Sequence, residues 1–470
     1  MIFGLPVASI IILIPLIGSL FIALTDKKNV LGIKSVSFWT SLFALCFSLV
    51  VAFLFDYSVH SYADEAFLFK KAPIKYRVGL DTLSALFVPV ICFICFVGIL
   101  WITKRKTQKK KTYFISILIF EALSISAFYA RDMFFLFVSM ESTIIPIYVI
   151  MSQRKEQSSD AIFHFLFYSM LSAILVLVSF VLIYTETKTS SLTEIYKIGV
   201  KNRMAFWLLI TGIGIKMPIW PFYNWLPIAH VKSQTMCSIL LASIVLKFSS
   251  LLILRFVNPL FMDIIQNNFE IALFVIALSM LFASSQLFFQ DDLKTTFAYF
   301  SIIHMNSAFL ILLGNLKEAG FIFSIMHHSI LMAVLFFSSN IVEKIQGTRS
   351  INTLKKTTVQ PYEIRLIMLF AFLFLVSSPF SWGFVSEVIT IKAISQISIP
   401  YTFIFAGLIL LSSLYAVYVY SNCFGLWRET ETAVVSDFYI NDRYKKLALS
   451  LVCALIIFIG IFPKIILSRF

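Results

Sequence analysis

Apolar stretches of about 18 residues or more recur from one end of this chain to the other, each long enough to cross a hydrocarbon core of roughly 30 Å. No other feature constrains the fold so tightly. A soluble domain must wet its outer surface, and 470 residues that are 60% hydrophobic and only 13% charged cannot do so. The reading is an all-α, polytopic membrane protein of about fourteen transmembrane helices. The spans fall near 4–24, 36–55, 84–102, 113–129, 133–151, 162–184, 205–224, 236–257, 269–289, 297–314, 320–342, 365–395, 401–424 and 447–467. Phe3 to Leu24 is itself of span length and shows no small-residue cleavage site, so it reads as the first span rather than a signal peptide.

The formal net charge of +14 sits in short loops and does not call for nucleic acid as a partner. "DKK" at 26–28, "KRKTQKKK" at 104–111, "RK" at 154–155 and the basic runs near 344–365 and 428–446 all join an odd span to an even one. About 22 Lys and Arg lie on that side against about 13 on the other, so these loops are expected to face the cytoplasm or matrix. The longest connections, near 56–83 and 185–204, leave no large extramembrane domain for chemistry on a soluble substrate. Cys46, Cys92, Cys95, Cys237, Cys423 and Cys453 lie in or beside apolar segments. Cys92 and Cys95 form a CxxC, but with no second pair and Phe, Ile and Val around them they read as core thiols. No metal or iron–sulfur pattern is present.

Ionisable residues at bilayer depth are costly unless paired, hydrated or functional. The spans nevertheless hold Glu121, Glu141, His164, Lys216, Lys247, His304, His327, His328, Glu387 and Lys392. Burial disfavours the charged form of such groups, which makes them able to exchange protons, and a series of them across successive helices is what a proton path needs. Glu141 is the natural partner of Lys216, and Lys247 lies too deep in its span to reach the headgroups. Arg255, nearer the helix end, is expected to snorkel outward. His304 and His328 lie in adjacent spans. His327 and His328 are neighbours about 100° apart on a helix, so one of them is expected to point inward. Lys392 lies near its span end, where it is expected to reach the interface; Glu121 and His164 are the weaker candidates.

Two spans are interrupted. Pro218 and Pro221 break the seventh beside Lys216, and "SSPFSWG", Ser377 to Gly383, breaks the twelfth just before Glu387. Broken helices in corresponding positions of two halves are the mark of repeat-built transporters, and the freed backbone groups need protein or water around them. Both breaks adjoin a buried charge, which favours an internal ion path.

The segment "KMPIWPFYNWLPIAHVKSQT" resembles the KMPxxPFHxWLPxAHxxAPT signature of the antiporter-like subunits of respiratory complex I and of multisubunit cation/proton antiporters. "RDMFFLFVSMESTIIPIYVI" is similar to the fifth-span glutamate segment and "VLKFSSLLILRF" to the eighth-span lysine segment. "QDDLKTTFAYFSIIHM" is similar to the family's "DLKRLIAYSSVSHMG", "GFVSEVITIK" to its twelfth-span motif and "GIFPKIIL" to its closing segment. Glutamate at the twelfth-span position, here Glu387, is the mark of the subunit M (chain 4) branch, where the sister subunits carry lysine.

The resemblance implies a proton-translocating subunit of the NADH:quinone oxidoreductase, with no redox centre in this chain. NAD, FMN, the iron–sulfur clusters and quinone would belong to partner subunits of the membrane and peripheral arms. Glu141 and Lys216 would form a charged pair whose separation modulates the lysine's hold on its proton. Lys247 would be the central carrier, with His304 and His328 linking onward and Glu387 connecting to the exit side or a neighbouring subunit. Two inverted five-helix repeats would occupy 113–257 and 258–424, flanked by 1–112 and 425–470. The membrane would be the bacterial inner membrane, or alternatively the mitochondrial one. The alternative reading is a subunit of a cation/proton antiporter without redox coupling. The chain departs from the pattern at several places: "SQT" (Ser233 to Thr235) stands for APT, Tyr223 for a histidine, His164 for a lysine, "HMN" for "HMG" and "HHS" for "HG".

Overall fold

The computed structural model describes residues 6–57, 65–67, 75–102, 110–153, 159–314, 317–356, 362–425 and 443–469. Most of the basic stretches at 104–111 and 428–446, together with Arg154 and Lys155, lie outside them.

The described residues are helical almost throughout. The first half runs α1 (Val7–Leu24), α2 (Val30–Leu54), a ribbon β1 (Glu65–Phe67) and β2 (Tyr76–Val78), α3 (Thr82–Ile102), α4 (Lys110–Tyr129), α5 (Met133–Ser142) and α6 (Ile144–Met151). There follow α7 (Ser159–Thr187), α8 (Leu192–Ile198), α9 (Arg203–Lys216), α10 (Trp225–Lys232), α11 (Thr235–Leu240), α12 (Lys247–Leu252) and α13 (Asn258–Asn267). The second half holds α14 (Phe269–Leu287), α15 (Leu293–Ile311), α16 (Lys317–Gln346), α17 (Ile351–Lys356), α18 (Tyr362–Leu375), α19 (Trp382–Ser395), α20 (Ile399–Phe424) and α21 (Arg443–Ile461), then a last turn at Lys464–Leu467.

Helix occupies every expected span, and among the described residues ten helices are long and apolar enough to cross a membrane. The seventh and twelfth spans are broken as expected: α9 ends at Lys216, α18 at Leu375, and α19 restarts at Trp382. Prolines account for the breaks, since they cannot donate to the preceding turn. Three local features go beyond the sequence reading. An antiparallel ribbon pairs Glu65 with Val78 inside the 56–83 connection. The fifth span is interrupted at Thr143, where Pro146 lies in the first turn of the restarted helix. The eighth span contains two wide π turns, at Leu241–Val245 and Ile253–Val257, on either side of α12.

The chain forms two compact units, residues 1–216 with 246–264 and the last two residues, and residues 217–245 with 265–468. In the first, α1 packs on α2 and α4, α3 on α2 and α4, and α7 on α9. Gly212 lets α9 close on α7: a Cβ there would lie 2.9 Å from Val176 and 3.1 Å from the Ser172 carbonyl. Ser172 and Ser179 seal the contact by donating to the carbonyls of Gly212 and Ala205, both at 2.7 Å, the small-residue packing that substitutes for a hydrophobic drive in a membrane. In the second unit α16 is fully lined by neighbours and packs on α15, α18, α19 and α21. Outer helices keep large apolar side chains exposed, among them Trp39 and Phe43 on α2, Phe163 and Phe167 on α7, and Phe403 and Leu410 on α20.

Each unit contains the same hydrogen-bonded corner. Asp132 caps α5 through the amides of Phe134 and Phe135; Met133 N–H donates to Ser190 and Leu192 N–H to Arg131. Asp292 caps α15 through the amides of Lys294 and Thr295; Leu293 N–H donates to Arg349 and Ile351 N–H to Asp291. A short helix, α8 or α17, leaves each corner, followed by the first half of a broken span, α9 or α18.

Candidate proton-transfer groups

In the first unit, Lys216 Nζ donates to Glu141 Oε1 at 2.6 Å, with 7% and 13% of the two side chains exposed. Each partner sits where its helix stops. Glu141 is one residue from the end of α5, and Lys216 is the last residue of α9. Glu141 Oε2 is buried and has no hydrogen-bond partner among the described residues. Lys247 is wholly buried at the start of α12, directly after a π turn, and α12 packs on the helix that carries Lys216. Wide turns of this kind concentrate at functional positions.

In the second unit, His304, His327 and His328 form one group. The His304 ring centroid lies 6.4 Å from that of His327 and 6.3 Å from that of His328. Both neighbouring histidines are buried, which corrects the expectation that only one of them points inward. A helix surrounded on all sides has no outward face to give the second. Glu387 is reached across the break in the twelfth span: Ser377 Oγ donates to Glu387 Oε1 at 2.6 Å. Ser377 and Phe380 have φ of 53° and 67°, the left-handed region that non-glycine residues seldom adopt and that clusters at functional positions. Beside them, Ser386 and Ser324 share a hydroxyl hydrogen bond of 2.8 Å.

The remaining candidates fall elsewhere. Glu121 is buried on α4 against Cys92. His164 Nδ1 is 2.8 Å from the Asp160 carbonyl of its own helix. Lys392 is exposed. His230 is fully buried and stacks on Phe336 with centroids 4.7 Å apart. Tyr223 sits against Tyr299, with ring centroids 6.2 Å apart. Among the described residues no group of three His, Cys, Asp or Glu side chains is arranged so that it could hold a metal ion.

Arg255 overturns the snorkelling expectation. It is 4% exposed and pairs with Asp81, its Nη2 lying 3.2 Å from Asp81 Oδ1 and 3.1 Å from the Phe128 carbonyl. Arg131 Nη1 lies 3.4 Å from the same carboxylate. Burial pushes the Asp81 carboxyl upward, but the two guanidiniums outweigh it and hold Asp81 well below the usual carboxylate range.

Residues 130–414 match the family described as NADH:quinone oxidoreductase/Mrp antiporter, TM. The chain belongs to this family. It is 28% identical over 99% of its length to NADH-quinone oxidoreductase subunit M of Rickettsia felis, covering 97% of that relative. Its fold is similar to a chain of respiratory complex I from Thermus thermophilus with bound NADH, with a TM-score of 0.83 at 21% identity and 98% and 97% of the two chains covered. It is equally similar to a chain of the Mrp complex from Dietzia sp. DQ12-45-1b, with a TM-score of 0.84 at 17% identity and 99% and 96% covered.

Two groups of this NADH:quinone oxidoreductase/Mrp antiporter family chain escaped the sequence reading. Lys294, wholly buried, donates to the Ser233 carbonyl at 2.8 Å. It follows a capping aspartate in "QDDLKTT" and looks like a loop residue until the corner is seen. Asp81 opens the third span as an apparent cap, and nothing local signals its two distant arginines.

Proposed function

We propose that this chain is a proton-translocating membrane subunit of an NADH:quinone oxidoreductase, in which electron transfer in partner subunits drives protonation changes here. The observation that carries the reading is the buried Lys216–Glu141 pair, 2.6 Å apart where two helices stop. In a low-dielectric interior each partner compensates the other's charge, so movement that parts them leaves both charges uncompensated. Removing one partner of such a pair typically costs about 3–5 kcal/mol, so the two helix ends are strongly coupled through it.

Lys247 takes the role of central carrier, His304 and His328 that of onward links, and Glu387 that of the exit group. NAD, FMN, the iron–sulfur clusters and quinone belong to partner subunits, and the other membrane-arm subunits are the lateral partners. The residence is the bacterial inner membrane or its mitochondrial counterpart. Membranes in which this chain carries Lys247→Ala or Glu387→Gln test the reading. The assembled complex is expected to lose proton translocation by about tenfold or more relative to the unaltered one. Unaltered pumping in both variants contradicts it.

A further inference from the structure

The two histidines on α16 are equally close to His304, yet His327 in addition faces the break in the twelfth span. A Cβ built on Gly383 would lie 2.7 Å from Ser377 Oγ and 3.0 Å from His327 Nε2. The hydroxyl and the edge of the imidazole, whose Cε1 would lie 2.9 Å from the same Cβ, therefore face the same side of Gly383, and the gap between them is one that a single water can bridge. Only glycine lets both groups come this close to the backbone, since any Cβ would collide with them. Trp382, wholly buried, lies 6.1 Å from the His327 ring and holds it from the next position in the same turn. On the far side, Ser377 already donates to Glu387 Oε1 at 2.6 Å. Ser377 holds this contact with a left-handed φ of 53°, a backbone conformation that non-glycine residues seldom adopt.

We infer that His327, acting through the Ser377 hydroxyl, carries protons between His304 and Glu387. The inference rests on the proposed function and adds to it a residue that the family motif does not supply, since "HHS" stands here for "HG". The step balances simply. The His327 imidazolium gives up its Nε2 proton, directly or to one water, and Ser377 Oγ gains that proton on a lone pair. In the same event Ser377 passes its own hydroxyl proton to the Glu387 carboxylate. One O–H bond breaks as another forms at the serine, the imidazole is left neutral, and rotation of the hydroxyl resets the path. His328 is then a branch from His304 that does not lead to Glu387 through Ser377.

The test uses the assembled complex in membrane vesicles, measuring protons translocated per quinone reduced. His327→Gln keeps hydrogen-bonding capacity but cannot carry a proton, and is expected to lower translocation by about tenfold. Gly383→Ala, whose Cβ would collide with both groups, is expected to give the same loss, and the double variant no further loss. Ser377→Ala is expected to match them while Ser377→Thr, which keeps the hydroxyl, retains at least half the unaltered rate. That serine pair also serves if His327→Gln fails to assemble. Translocation by His327→Gln within twofold of the unaltered complex overturns the inference, as do equal rates for Ser377→Ala and Ser377→Thr. Lys216→Ala and Glu387→Gln run alongside: if they are silent while His327→Gln is normal, this inference alone falls. If they too pump normally, the functional reading falls and takes the inference with it.

Discussion

Lys247 carries an amino group with no exposed surface, placed where a hydrocarbon side chain would pack more cheaply. Lys247→Met keeps most of the volume and removes the charge. The thermal midpoint in detergent is expected to stay level or rise while proton translocation is lost; a fall in the midpoint with pumping retained would show a structural lysine instead. Asp81 is the opposite case. It sits between Arg255 and Arg131, and Asp81→Asn removes the carboxylate that both buried guanidiniums share. That is expected to destabilise the fold by about 3–5 kcal/mol, read as a drop in thermal midpoint. The sign with pH follows from the lowered Asp81 pKa. Its contribution is complete above the ordinary carboxylate value of about 3.9, and is lost only as pH falls below that toward the lower folded value. Glu141, Lys216, Lys247, His304, His328 and Glu387 were all legible in the sequence, because a charge inside an apolar run stands out without knowledge of the fold. Arg255 was misread because depth along a helix does not reveal a partner 174 residues away.

At the scale of elements, the interruptions decide where the charges meet. Proline announced the breaks after Lys216 and before Glu387, so both were legible. The interruption at Thr143 was not, since Pro146 lies in the first turn of the restarted helix, a position helices tolerate. The π turns around Lys247 carry no residue signature at all and come from packing. Pro146→Ala is expected to join α5 to α6, shift Glu141 away from Lys216 and lower proton translocation several-fold with assembly intact; unchanged pumping would mean that the interruption is incidental. Gly212→Val drives a branched side chain into Val176 and the Ser172 backbone. It is expected to cost about 1–3 kcal/mol through overpacking of α7 on α9, checked by thermal melting.

At the scale of the molecule, the all-α membrane class followed from hydropathy alone, whereas the corner built on Asp132 in one unit and Asp292 in the other did not. Each corner depends on backbone pairing between residues far apart in sequence, and the only shared local cue is a capping aspartate. The corner recurs in both units, and in each a short helix leads from it into the first half of a broken span. Affinity purification through this chain is expected to bring down NADH-oxidising peripheral subunits; recovery of small antiporter subunits instead would favour exchange without redox coupling. The central claim is that the Glu141–Lys216 pair governs proton movement, and it is tested most directly by a double-mutant cycle on quinone-coupled proton translocation. Lys216→Ala, Glu141→Gln and the double variant are predicted to lose translocation by the same factor, about tenfold or more, because residues that act as one unit are not additive. Normal translocation by Lys216→Ala in an assembled complex would contradict the account.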